Sequence, residues 1–214
     1  MKKHEPLGQI IILNGAPRSG KTSIARAIQT HWDGIWMNIG VDGHMHMLPE
    51  RLRPGIGLRP GGERPDLEEH LPSLYGAWFE SIAAHSRRGI NVVADFGIHD
   101  GHAGSLHLME NGLKLLEGLP HLVVCVTCPL ADIMKRRAAD SDPSHHYVKA
   151  SADDPVPLPV ARWQEYIRRA ADYDLTLDTS VLTPLECAAI IEDRLQGVAV
   201  TPTLGLAQMR ASGR

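Results

Sequence analysis

Cysteine is scarce in this chain: Cys125, Cys128 and Cys187 are the three in 214 residues. So few exclude a disulfide framework. Cys125 and Cys128 form a lone CxxC inside "HLVVCVTCPL", a stretch that reads as a strand and its exit. No second pair and no histidine at ligand spacing accompany it, which argues against a zinc ribbon. A redox CxxC belongs at a helix N-terminus, a position only Cys128 approaches, so core packing in a reducing compartment is the reading.

Also missing is any run near the roughly 20 apolar residues that span a bilayer. The N-terminal "MKKHEPLGQIIILNG" has a basic start, but its apolar stretch leads into a motif rather than a cleavage site, so it is no signal peptide. A cytoplasmic protein is expected. Charge of one sign is lacking too. The net charge is −3 with histidine neutral, which gives no pull toward nucleic acid or an anionic membrane. No internal repeat is present, and no HExxH frame.

What is present is a globular composition, 43% hydrophobic and 22% charged, in a length that suits one domain with small inserts. Four short apolar runs read as strands buried on both faces: 9–14, 90–95, 121–127 and 174–179. A weaker candidate covers 34–42. Helical patterns lie between them. After "GKTSIARAIQTHW" comes 71–89, where Leu71, Leu74, Tyr75, Trp78, Phe79, Ile82 and Ala83 form one apolar stripe ending at Gly89. Two more helices are predicted over 129–140 and 183–197. Strands alternating with helices predict an α/β fold, a doubly wound parallel sheet in a single domain over 1–197. Segments 49–72 and 140–159 break the rhythm with proline, glycine and arginine, and read as lids or substrate inserts. The tail 198–214 lacks periodicity, as a disordered tail does.

The strongest motif is "GAPRSGKT", Gly15-Ala16-Pro17-Arg18-Ser19-Gly20-Lys21-Thr22, which fits G-x-x-x-x-G-K-[ST] between an apolar strand and a helix. Its glycines allow a tight turn in which backbone amides converge on phosphate oxygens, and the following helix adds its positive end. Lys21 can reach the β- and γ-phosphates of ATP, and the Thr22 hydroxyl can ligate Mg²⁺. The Mg²⁺ shell needs a carboxylate from a neighbouring strand, and "INVVAD" ends in Asp95. A turn or helix-capping aspartate is the alternative there. Residues 95–97 read "DFG", but no H-R-D loop or V-A-I-K strand makes a protein kinase of it.

"IGVDGHMHML" places Asp42, His44 and His46 at alternate positions, like three ligands if extended. If a helix starts there, the histidines diverge and a metal site lacks its further ligands. At the carboxyl edge of the sheet one carboxylate, Asp42, suffices to orient an acceptor hydroxyl and collect its proton. His44 or His46 then lines the pocket or is simply solvated.

These residues resemble the chloramphenicol phosphotransferase family. The parallel segments are "IIILNGAPRSGKT", "GVDGHMHMLP", "GAWFESIAAHSRRGINVVAD", "VCVTCPLADIMKRR" and "YDLTLDTS", in order over about residues 8 to 196. The resemblance implies a five-stranded parallel P-loop kinase fold with ATP and Mg²⁺ as cofactors. It also implies phosphorylation of a small-molecule hydroxyl, that of chloramphenicol in the family. Asp42 takes the role of base, Lys21 and Thr22 the nucleotide and metal roles, and Arg136 that of the lid arginine that meets ATP. Three departures stand out. Phe96 sits where the family often has a second aspartate, and Asp140 where a further lid arginine is found, with Arg137 as its substitute. The insert carries Arg51, Arg53, Arg59 and Arg64, whose guanidinium forks suit an anionic group. Asp42, His44, Arg51, Arg53 and Phe96 are therefore the candidate acceptor side. A small-molecule hydroxyl acceptor is the expected partner, and a homo-oligomer stays open. The readings to separate are an antibiotic-modifying O-phosphotransferase, a kinase of an anionic metabolite or nucleotide-sugar, and a non-catalytic ATP-binding switch.

Overall fold

A computed structural model describes residues 6–53, 60, 64–141, 150–151 and 153–197. Five strands form one sheet: β1 (Ile10–Asn14), β2 (Trp36–Asn38), β3 (Asn91–Phe96), β4 (His121–Thr127) and β5 (Leu175–Asp178). Their order is β2-β3-β1-β4-β5, and every pair is parallel. The helices are α1 (Lys21–His31), α2 (Val41–Met47), α3 (Pro65–Glu68), α4 (Leu71–Arg87), α5 (Leu108–Leu115), α6 (Leu130–Ala138), α7 (Leu158–Arg169) and α8 (Pro184–Gly197).

The unbroken apolar run of β1 is explained by its two covered faces. Ile10 and Ile12 join the core formed with α4 and α5, whereas Ile11 and Leu13 join the one formed with α1 and α8. All four are fully buried, each contributing on the order of 1.5–3 kcal/mol. The stripe predicted on 71–89 is the buried face of α4, from Leu71 through Tyr75, Trp78, Phe79, Ile82 and Ala83. A third cluster packs Cys125 and Cys128 with Ile133, Val160, Trp163 and Ile167 under α6 and α7. Both thiols are buried, and desolvation pushes them up from the usual thiol range.

The structure departs from the sequence reading in three places. The strand expected over 34–42 is only Trp36–Asn38, and the chain has become helical by Val41. Helix α5 has no counterpart in the sequence pattern: it is short and holds Gly112, where a side chain would strike the Phe79 ring of α4. The end of the expected insert 140–159 is the start of α7, whose Val160, Trp163 and Ile167 recur at helical spacing. Its prolines sit at the N-cap and in the first turn, where they start a helix rather than break one. Residues 54–59, 61–63, 142–149 and the tail from 198 lie outside the described residues. Among the described residues, no helix is long and apolar enough to cross a membrane.

Candidate active site at the carboxyl edge of the sheet

β1 ends at Asn14 and the chain turns at once into the loop Gly15–Gly20. Gly15 donates its amide to Phe96 O at 3.2 Å, and α1 starts from Gly20 at φ 103°. The Lys21 ammonium folds back over the loop and donates to Gly15 O at 2.8 Å and Ala16 O at 2.9 Å. Burial pushes its pKa down to about 8, while Asp95 and then Asp42 pull it back up. The Thr22 hydroxyl donates to Asp95 Oδ2 at 2.7 Å. Asp95, buried near the end of β3, thus meets the start of α1 just after the loop. The Ser19 hydroxyl is buried in the same loop with no hydrogen-bond partner among the described residues.

Asp42 lies in the first turn of α2, not at a strand end. Its side chain is exposed and its charge still acts on Lys21. The helix separates the two histidines, so the three side chains do not converge. His44 stacks on Trp78 with ring centroids 4.3 Å apart, and burial holds its imidazole below the usual histidine range. His46 turns back, its Nδ1 2.6 Å from Asp42 O.

Arg136 on α6 donates to Thr179 Oγ1 at 2.9 Å, Thr179 O at 2.7 Å and Arg18 O at 3.3 Å. Thr179 in turn donates its hydroxyl to Ser19 O at 2.6 Å. Arg18 has a positive φ of 69°, donates to Arg136 O, and pairs with Asp140 at 3.3 Å. Asp140, just after α6, therefore ties the end of that helix to the P-loop. Arg137, on the same helix, is buried. Thr179 and Gly40 escape a reading of the sequence. Thr179 is legible there only as the end of "YDLTLDT", and Gly40 only as the first letter of "GVD".

One candidate on the acceptor side, Phe96, is corrected. Phe96 is fully buried between Trp78 and Phe79, with centroids 4.2 and 5.1 Å away, and offers no surface to a substrate. Arg53 donates to Leu48 O and His46 O, both at 3.0 Å, and so closes the C-terminal end of α2. Arg64 forks onto Asp66 at 2.8 and 2.7 Å. Arg51 is exposed, and Arg59 lies outside the described residues.

The sheet order, the loop at the end of β1 and the Thr22–Asp95 pair define a P-loop kinase fold. Solved structures share it. The APS kinase CysC of Mycobacterium tuberculosis, in complex with AMPPNP and APS, matches with TM-score 0.58 at 17% identity over 89% of this chain and 99% of that one. Shikimate kinase from Acinetobacter baumannii, in complex with shikimate, matches with TM-score 0.58 at 12% identity over 94% and 99%. More narrowly, the chain belongs to the chloramphenicol phosphotransferase-like protein family, whose model matches residues 8–196. A relative in Mycobacterium tuberculosis H37Rv, named "Putative O-phosphotransferase Rv2636", is 28% identical over 115 residues. That match covers 52% of this chain and 45% of the relative, so the chain spans about half the length of the curated relatives it matches.

Proposed function

We propose that the chain transfers the γ-phosphate of ATP to a hydroxyl of a small molecule. One observation carries this reading. Two carboxylates from different elements act on one P-loop ammonium, and they are differently engaged. Asp95 is occupied by Thr22, whereas the exposed Asp42 carboxylate makes no hydrogen bond or ion pair among the described residues. The first suits a metal shell, the second an incoming hydroxyl.

The residues present fit a magnesium nucleotide. Lys21 is protonated below about pH 8 and lies against the loop, Ser19 holds a buried hydroxyl in need of a partner, and Thr22 and Asp95 form an oxygen pair. When bound, Mg²⁺ and ATP supply the electrophilic phosphorus. Lys21 and the loop amides hold the phosphates, and Arg136 braces the loop through Thr179 and Arg18. Asp42 orients the acceptor hydroxyl and takes its proton as the new oxygen–phosphorus bond forms and the bond to the β-phosphate oxygen breaks.

A neutral acceptor, such as a hydroxyl-bearing antibiotic of the chloramphenicol kind, is the reading that the family match over residues 8–196 supports. The anionic reading drew on the arginine-rich insert, but Arg53 and Arg64 direct their forks onto the protein itself. The test is transfer of label from γ-labelled ATP across a panel holding chloramphenicol, other hydroxyl-bearing antibiotics and nucleotide-sugars. Transfer to a neutral hydroxyl, abolished by Asp42→Asn, is expected. Tight ATP binding with no transfer to any acceptor would favour the switch and overturn the proposal.

A further inference from the structure

Asn14 is the last residue of β1 and the one before the P-loop. β3 is its neighbour, with Phe96 opposite Asn14. Beyond that pair the main chain of β1 departs to form the loop, and β3 loses its ladder partner. Ile98, the next residue in line, is only 1% exposed, so its amide and carbonyl still need partners. The Asn14 side chain supplies both. Its Oδ1 accepts from Ile98 N at 2.9 Å, and its Nδ2 donates to Ile98 O at 3.1 Å. A carboxamide has the donor and acceptor of a peptide unit, so this side chain serves as one more rung of the ladder.

The second Nδ2 hydrogen goes to the Tyr173 hydroxyl at 2.9 Å, and Tyr173 donates to Ile167 O of α7 at 2.6 Å. Helix α7 also holds the preceding residue, since Trp163 Nε1 donates to Gly97 O at 3.0 Å. Asn14 itself is fully buried. A shift of the main chain at Gly15 therefore has to carry this amide along or leave buried groups unpaired.

We infer that Asn14 is a positioning residue that couples the P-loop to the segment after Asp95, so that phosphate engagement at residues 15–22 is felt at residues 97–103. The coupling rests on the proposed function insofar as a nucleotide binds the loop; the rung does not. A shared two-ended element of this kind gives coupling a physical basis.

Hydrogen exchange read by mass spectrometry on the full chain, with and without Mg²⁺ and AMPPNP, tests it. In the wild type the nucleotide slows exchange severalfold at both 15–22 and 97–103. In Asn14→Ala it still protects 15–22 but leaves 97–103 unchanged. Asn14→Asp behaves like Asn14→Ala at neutral pH, because a carboxylate faces Ile98 O. In acid its protonated form regains donor and acceptor, and burial brings that recovery to mild pH. A role in merely filling space predicts no such recovery. Should Asn14→Ala not fold, this comparison within Asn14→Asp decides the question. Undiminished protection of 97–103 in Asn14→Ala, or an Asn14→Asp protein whose response is the same in acid, overturns the coupling and leaves the proposed function standing. Failure of the wild type to bind AMPPNP overturns both.

Discussion

Gly40 lies against the Asp95 carboxylate so closely that a side-chain carbon there would fall on Asp95 Oδ1. The turn from β2 into α2 thus crosses directly over the residue that Thr22 holds. Only hydrogen fits at position 40, which is the physical reason for the glycine before Val41 and Asp42. Gly40→Ala is expected to destabilise the fold by about 1–3 kcal/mol, as overpacking does, and to raise the Mg²⁺ needed for half-maximal transfer. Thermal unfolding and a Mg²⁺ titration check both. A wild-type titration curve would mean that the turn moves aside at no cost.

Asp42→Asn keeps the size of the side chain and removes its capacity to accept a proton. Transfer is expected to fall roughly 10²–10⁴-fold, the range of a lost general base, with AMPPNP still bound. The change also removes one of the charges that hold the Lys21 proton, so the Lys21 pKa moves down further. Turnover within a few-fold of wild type would remove Asp42 from the reaction.

Why some of this is legible in the sequence and some is not follows from where each signal lives. β1 and α4 announce themselves because burial on two faces, or on one helical stripe, writes a period into the residue types. The P-loop is legible because its glycines and lysine stand at fixed spacing. Asp42 follows β2 at the sheet edge, yet it stands on a helix rather than at a strand end, two residues past the Gly40 that packs on Asp95. Phe96 misleads, and Arg53 is underdetermined, for one reason: a residue type says what it could bind, and only the fold says what it already touches. The carbonyls that Arg53 meets lie close by in the chain, but they are open only because α2 ends there, and the rings around Phe96 come from α4.

Thr22→Val replaces the hydroxyl that donates to Asp95 with a methyl of similar size. Asp95 loses its partner, and the proposed metal shell loses one oxygen. The Mg²⁺ requirement for transfer is expected to rise about 10–100-fold, the usual cost of losing a group that orients a metal ligand. Excess Mg²⁺ should recover part of the rate. No dependence of the rate on Mg²⁺ concentration in either protein would exclude the assigned pair.

Lys21 makes stability depend on pH in the alkaline range. Its folded pKa, about 8, lies below its ordinary 10.5 because burial disfavours the ammonium. Between those values the unfolded chain holds a proton that the folded chain lacks, so stability rises with pH over that window. Below it both states are protonated and the cost of burial is carried in full. The gain is on the order of 3 kcal/mol at most, since each tenfold change in proton affinity is worth about 1.4 kcal/mol. Urea unfolding from pH 7.5 to 10 is expected to show this rise in wild type and to lose it in Lys21→Met. AMPPNP affinity should move oppositely, weakening in wild type above about pH 8 as the positive charge is lost.

Arg53 distinguishes an anion-binding insert from a structural one. Its guanidinium donates to His46 O and Leu48 O at the end of the helix that carries Asp42. A cation there also offsets the negative end of that helix. Arg53→Ala is therefore expected to cost about 0.3–1 kcal/mol of stability, as loss of an exposed helix-end cation does. It should also slow transfer by loosening α2. Because the effect passes through Asp42, it should be equal for neutral and anionic acceptors. Measuring kcat and KM for one of each separates the two roles. A KM rise confined to the anionic acceptor would place Arg53 on the substrate, whereas an equal loss in kcat for both assigns it to holding the helix in place.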